Sequence, residues 1–322
     1  MRNLAPNLTK RLDLTKRLAP VNACFAKSLA PVQVLVFLGL IASAWAEGGA
    51  PLGWLGTARL AGVPERIVSL APNLTEMVFA LGQGKRVVAV SRFDDFPPEV
   101  KSLPKAGGFV DPSLEGILAV KPDLVLCVPN AGNESAMRIL AERLGVPVLV
   151  MPAYSLNDVF SSLRKLGGLL GVKAQARELE ASMRRRIEQV QARVKGHARP
   201  RVLVVYGHQP LVVAGPGTFA DSMLRLAGGQ NALTKSALRY PSLPMEAVIK
   251  LAPEVIVDAS MAGEGAESRK DLAGVFWDRW QVLPAVRDGR VHLFNSGLWF
   301  RPGPRVVDGL EMLEGLLHPR KP

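Results

Sequence analysis

Lys173-Ala174-Gln175-Ala176-Arg177-Glu178-Leu179-Glu180-Ala181-Ser182-Met183-Arg184-Arg185-Arg186-Ile187-Glu188-Gln189-Val190-Gln191-Ala192-Arg193-Val194-Lys195 contains neither Gly nor Pro. Its apolar residues Leu179, Met183, Ile187, Val190 and Val194 recur at helical spacing, with charges filling the other positions. The stretch reads as one long amphipathic helix. At 1.5 Å per residue it spans ~35 Å, about the width of a domain, which is enough to tie two lobes together. The basic excess of Arg184, Arg185, Arg186 and Arg193 reads as a solvated face rather than a nucleic-acid site.

Outward from this helix, short β-branched runs alternate with helical patterns on both sides. Before it, 66–70, 86–90, 123–128 and 146–151 read as buried strands. Between them one helix opens at Asn73, an N-cap candidate with Glu76 three residues on, and others run over 113–120, 133–144 and 157–170. After the long helix the strands resume at 201–206, 254–259 and 290–294. The chain also echoes itself. Leu114-Glu115 with Lys121-Pro122-Asp123-Leu124-Val125-Leu126 returns as Met245-Glu246 with Ala252-Pro253-Glu254-Val255-Ile256-Val257, at a constant offset of 131. The expected class is α/β, with two doubly wound lobes joined by a single backbone helix and a ligand cleft between them. The lobes occupy 64–172 and 197–322, and the bridge 173–196.

The 322 residues are 48% hydrophobic with a mean hydropathy of +0.16, which excludes a disordered chain and permits sizeable cores. The formal charge of +12 is partly an address. Residues 1–46 hold Arg2, Lys10, Arg11, Lys16, Arg17 and Lys27 against Asp13, so +5 resides there and +7 on the remaining 276 residues. The apolar stretch 31–46 ends in Ala44-Trp45-Ala46, small residues at the positions that a signal peptidase reads, and cleavage is expected after Ala46. Its length falls below the ~20 residues that a spanning helix needs, although an uncleaved anchor is the alternative. Residues 1–46 are thus expected to be a signal peptide, 47–63 a Gly-rich linker, and the mature chain periplasmic. Cys24 precedes the apolar run and is not placed to carry a lipid; Cys127, inside an apolar strand, reads as a buried structural thiol.

Catalytic motifs are missing: no G-x-S-x-G, H-E-x-x-H, C-x-x-C or G-x-x-x-x-G-K-[ST] occurs. Gly215-Pro216-Gly217-Thr218 reads as a loop into a helix from Phe219 rather than a dinucleotide fingerprint. Asp94 and Asp95 are neighbours in an extended segment and point apart, so they do not form a shared-proton dyad. His197, His208, His292 and His318 lack metal-ligand spacing. The expectation is a protein that is not an enzyme, with no nucleic acid among its partners. In open α/β sheets ligands sit beyond the carboxyl ends of the strands. The residues there include Asn73, Phe93, Asn130, His208, Trp299, Phe300 and Arg301, aromatic walls with polar contacts for a wide cleft.

These residues carry a family likeness. The stretches 66–76, 90–98, 107–115 and 121–125 resemble the helical-backbone substrate-binding proteins of ABC importers, which carry cobalamin, ferric siderophores and haem, with the cobalamin receptors most similar. The likeness extends over about 63–317. It implies two lobes on one rigid helix, small hinge motion and no chemistry on the ligand. It also implies docking on a permease dimer, coupled to its ATPase, through one acid per lobe, here Glu115 and Glu246. A helix first-turn acid favoured by the macrodipole explains the same positions structurally. The stretch 91–97 and the segment around Trp299 match loops that contact the corrinoid with aromatic side chains. Where cobalamin members tend to carry tryptophan before the first docking acid, this chain has Gly107-Gly108-Phe109, so Phe109 joins the expected ligand residues. The reading is a monomeric exported receptor for a corrinoid, with no cofactor of its own. The alternative is a ferric siderophore or haem receptor, in which His208, with Tyr206 two residues before it, is the candidate iron ligand.

Overall fold

A computed structural model describes residues 53–108, 111–129, 138, 141–260, 274–294 and 301–319. The first sheet has the order β1-β5-β4-β2-β3, formed by β1 (Gly53–Leu55), β2 (Ile67–Ser69), β3 (Val87–Val90), β4 (Leu124–Cys127) and β5 (Val148–Val150). All neighbours are parallel except β1, which runs antiparallel to β5. The second sheet has the order β10-β9-β6-β7, with β6 (Arg201–His208), β7 (Leu211–Val213), β9 (Val255–Asp258) and β10 (Val291–Leu293); β8 (Gln230–Asn231) also pairs with β6. The β6, β9 and β10 strands are parallel, and β7 is an antiparallel edge. Strands β2, β4, β5 and β9 are buried along their whole length, as parallel strands covered on both faces must be. The protein is therefore a two-lobed α/β molecule.

The expected strands all form. Residues 1–46 lie outside the described residues, as does most of 133–144. One strand was not read: β1 falls in the stretch taken as linker. A three-residue run is too short to show alternation, yet pairing with β5 buries Leu55 to 4% exposure.

Helices α1 (Pro72–Ala80), α2 (Leu114–Ala119) and α3 (Leu156–Leu169) serve the first sheet, and α4 (Lys173–Val194) is the long helix. Beyond it come α5 (Phe219–Leu226), α6 (Met245–Leu251) and α7 (Val306–Leu317). Helix α4 buries Ala176, Met183, Ile187 and Val190 and packs on α3 of the first lobe and on α5 and α7 of the second. One apolar cluster consequently runs through both lobes, from Ile67 and Leu163 by way of Met183 to Val204 and Leu313. The basic face of α4 is not simply solvated. Arg186 holds Asp308 and Glu311 on α7 at 2.6 Å each, Arg193 holds Glu314 at 3.0 Å, and the Arg184 guanidinium sits 4.0 Å over the Phe160 ring.

The internal repeat is geometric as well as textual. Lys121 and Ala252, 131 apart, are the two positive-φ residues other than glycine among those described, at +44° and +43°. Each ends the turn after a short helix and precedes a proline. The left-handed turn releases the chain from the helix, and the proline prevents its continuation. The next acid then anchors the neighbouring strand: Asp123 accepts from the Glu65 and Arg66 amides at 2.7 and 3.0 Å, and Glu254 from the Arg201 amide at 2.8 Å. Both lobes thus use one turn–strand device.

Candidate ligand site between the lobes

The segment 301–305, which enters α7, lies against the first lobe. Arg301 pairs with both carboxylate oxygens of Asp95, donates from Nη2 to the Phe93 carbonyl at 3.3 Å, and has Nη1 3.7 Å from Glu76. Arg305 makes a two-point pair with Glu76 at 2.9 and 2.6 Å, and its guanidinium lies 3.8 Å over the Phe96 ring. The Asn73 amide donates to the Pro302 carbonyl at 3.4 Å. These contacts bring the region beyond β10 against the residues just past the carboxyl ends of β2 and β3, the place where an open α/β sheet offers a ligand its site.

Two local expectations change here. Asn73 does not cap its helix: Ala71 is the N-cap, no side chain caps it, and Pro72 opens the first turn. Proline has no amide hydrogen to leave unpaired and its fixed φ suits that position. Freed from a capping box, Glu76 reaches Arg305 instead. Asn73 is 6% exposed and pinned at the seam.

Phe93 is 39% exposed, with the Arg92 guanidinium 5.0 Å from its ring centroid. Asp94 and Asp95 do face apart. Asp94 is buried and accepts from the Ser91 amide at 3.0 Å and from its hydroxyl. Burial outweighs those bonds and raises its carboxyl above the ordinary value. For Asp95 burial pushes up as well, but the Arg301 hydrogen bond and charge override it and hold the carboxyl low. Phe109, Asn130, Trp299 and Phe300 lie outside the described residues.

Tyr206 and His208 are not brought together as a pair. Tyr206 is 6% exposed in the cluster beneath α5 and α7, edge-on to Tyr240 at 5.4 Å. A register shift between Val205 and Gly207 breaks the alternation, so His208 stacks instead on Phe276 at 4.2 Å, in the opposite layer, with Trp277 edge-on at 5.9 Å. Tyr206 is a core residue. His208 Nε2 lies 2.6 Å from Asp258 Oδ2 and 3.3 Å from Ser260 Oγ. This is no catalytic relay, because the acid and the hydroxyl share one ring nitrogen and Ser260 donates to Asp258 itself at 2.6 Å.

Glu115 and Glu246 occupy the first turns of α2 and α6, both exposed, and neither pairs with another described residue. Ser113 caps α2 by accepting from the Gly116 amide at 3.0 Å; α6 has no side-chain cap. Sequence reasoning missed Glu76, Asp95, Phe96 and Arg305 as seam residues, and Asp258, Phe276 and Trp277 as the surround of His208. Among the described residues no cluster of three or more His, Cys, Asp or Glu side chains could hold a metal ion, and no helix is long and apolar enough to cross a membrane. A cavity of about 490 Å³ lies elsewhere, between β10 and α7.

Two mainly parallel sheets, one long connecting helix and a seam at the strand ends have a counterpart among known proteins: residues 67–296 match the family described as periplasmic binding protein. The chain belongs to that family. It is 29% identical over 250 residues to the vitamin B12-binding protein of Pectobacterium atrosepticum, covering 76% of this chain and 85% of that one. An uncharacterized ABC transporter substrate-binding lipoprotein of Bacillus subtilis is 30% identical over 262 residues, covering 80% and 81%. The crystal structure of a periplasmic heme binding protein from Pseudomonas aeruginosa superposes with a TM-score of 0.69 at 30% identity, covering 80% of this chain and 94% of that one. The protein is thus a substrate-binding protein of the ABC-transporter type, in the group that includes B12 and haem binders.

Proposed function

We propose that this periplasmic binding protein captures a corrinoid between its lobes and delivers it to an ABC permease. The observation that carries the reading is the seam itself. Residues beyond β2 and β3 face the segment beyond β10, with Phe93 exposed at the rim and the charged groups already paired to each other. A flat macrocycle with amide arms suits apolar aromatic walls with a few short polar contacts. The vitamin B12-binding relatives support the same ligand. On this reading Phe93, Phe109, Trp299 and Phe300 supply the walls and Asn130 and His208 the polar contacts. Arg301 and Asn73 hold the lobes at the working separation. The transported ligand is the only metal chelate involved, and Glu115 and Glu246 orient docking by two separated charges.

Calorimetry with cyanocobalamin tests this. Phe93→Ala with Trp299→Ala should weaken binding at least tenfold while the fold persists, given about 0.5–1.5 kcal/mol per aromatic contact beyond area burial. Unchanged affinity would remove the wall assignment. The haem-binding relative supports a second ligand, and a haem absorbance titration on the same sample decides between them. In that case His208 would offer the iron only Nδ1, since Nε2 is held by Asp258.

A further inference from the structure

The surroundings of His208 carry an inference that rests on the corrinoid reading and sharpens it. Asp258 is fully buried and receives four donors. His208 Nε2 and Trp277 Nε1 meet Oδ2 at 2.6 Å each, and the Ser260 amide and hydroxyl meet Oδ1 at 3.0 and 2.6 Å. Burial alone would raise this carboxyl, but the His208 hydrogen bond and charge, with the Ser260 and Trp277 bonds, hold it below the ordinary range. An ionised carboxylate only accepts, so Nε2 keeps its proton, and in the neutral form of the ring the lone pair resides on Nδ1.

Nδ1 has no partner among the described residues and is not closed off from solvent. The ring cannot readily turn, because Phe276 lies parallel to it within 3° and Trp277 abuts it edge-on. His208 ends β6 and Asp258 ends β9, neighbouring parallel strands, so the nitrogen sits at the carboxyl edge where the second lobe meets a ligand. We propose that Asp258 is a positioning residue that fixes His208 with Nδ1 as a hydrogen-bond acceptor for an amide N–H on the ligand rim. A corrinoid is edged by primary amides, each of which can donate.

The substitution Asp258→Asn gives the arrangement a definite failure. Asn has one accepting oxygen. If that oxygen stays on the Ser260 amide and hydroxyl, the Asn NH2 takes the place of Oδ2: the Trp277 indole N–H loses its acceptor, Nε2 must carry the lone pair to accept from the NH2, and the ring proton moves to Nδ1.

The test has two arms. In ligand-free protein at slightly alkaline pH, 15N NMR of the histidine ring should show the Nε2–H tautomer, and Asp258→Asn should convert it to Nδ1–H; an Nδ1–H wild-type ring overturns the proposal. In calorimetry, cyanocobalamin should bind about tenfold more tightly than at least one derivative with a single side-chain amide replaced by a methyl ester, which lacks the N–H. His208→Phe, which keeps the stack on Phe276 and does not depend on Asp258→Asn folding, should bind both with the weaker affinity. Intact binding of cyanocobalamin with no discrimination against any ester overturns the amide recognition and leaves the corrinoid reading standing. No binding of cyanocobalamin by the wild-type chain overturns the corrinoid reading and the amide recognition with it.

Discussion

Glu76 and Arg305 stand 229 residues apart and meet through two hydrogen bonds of 2.9 and 2.6 Å across the seam between the lobes. The acid is the more deeply placed, its side chain 3% exposed against 24% for the arginine. Removing the arginine leaves a buried carboxylate with only the longer 3.7 Å contact from Arg301, itself committed to Asp95, to compensate it. Arg305→Met should therefore lower stability by about 3 kcal/mol, the range for breaking a buried pair from one side. The double variant Glu76→Met with Arg305→Met should recover most of that loss. Urea unfolding of the three variants checks this, and a double variant as weak as the single would contradict the desolvation argument.

The paired aspartates give opposite responses to pH. Asp94 has a raised carboxyl in the fold, so the native state binds more protons than the unfolded chain in the window above the ordinary value of 3.8. Its contribution to stability is present below that value and declines as pH rises through the folded value. Asp95 is lowered, so its contribution is present above 3.8 and is lost as pH falls through its folded value. Measured against pH, Asp94→Asn should gain on the wild type as pH rises above 3.8 and then level off. Asp95→Asn should lose its deficit only in more acidic solution. A flat wild-type-minus-Asp94→Asn difference across the window would contradict the burial argument.

Glu115 and Glu246 lie on helices that the repeated turn places in equivalent positions, each exposed and unpaired among the described residues. A residue that serves only to complement a helix dipole is worth about 0.3–1 kcal/mol and nothing to a partner. The double substitution Glu115→Gln with Glu246→Gln should leave ligand affinity unchanged. It should also reduce uptake in cells by more than either single change, since two separated charges set the docking register. Transport at the wild-type rate would remove the docking role.

How much of this was legible in sequence follows from how local each signal is. The repeat was readable because a helix first-turn acid, a proline seven residues on and a following acid act within one turn and one strand. The left-handed Lys121 and Ala252 sit at the same spacing. The seam was not readable. Glu76 has the spacing of a capping-box acid; Pro72 was a local sign that the helix starts before Asn73, but nothing within the segment reveals that the freed acid meets Arg305, 229 residues on. Tyr206 and His208 fail for a different reason. Period-two alternation puts both on one face of β6, and only the register shift against β7 turns His208 to the Phe276 layer. The arginines of the long helix read as solvated because Asp308, Glu311 and Glu314 lie more than a hundred residues away on α7.

Adjacent glycines in α3 should respond with opposite signs, which tests how closely the bridging helix is seated. A Cβ on Gly167 would lie 2.4 Å from the Ala176 Cβ on α4, a contact between two short, unyielding groups. A Cβ on Gly168 would meet nothing nearer than Lys173 Cε, the far end of a flexible chain, at 3.9 Å. Gly167→Ala must push α3 from α4 and should cost about 1–3 kcal/mol, as overpacking in a filled core does. Gly168→Ala meets no obstacle and restrains the unfolded chain, so it should gain about 0.5–1 kcal/mol. Urea unfolding of the two variants reads both effects. Equal and small effects would mean that α4 is not held against the first lobe as closely as Gly167 requires, and the bridge between the lobes would then be a looser joint than its buried face indicates.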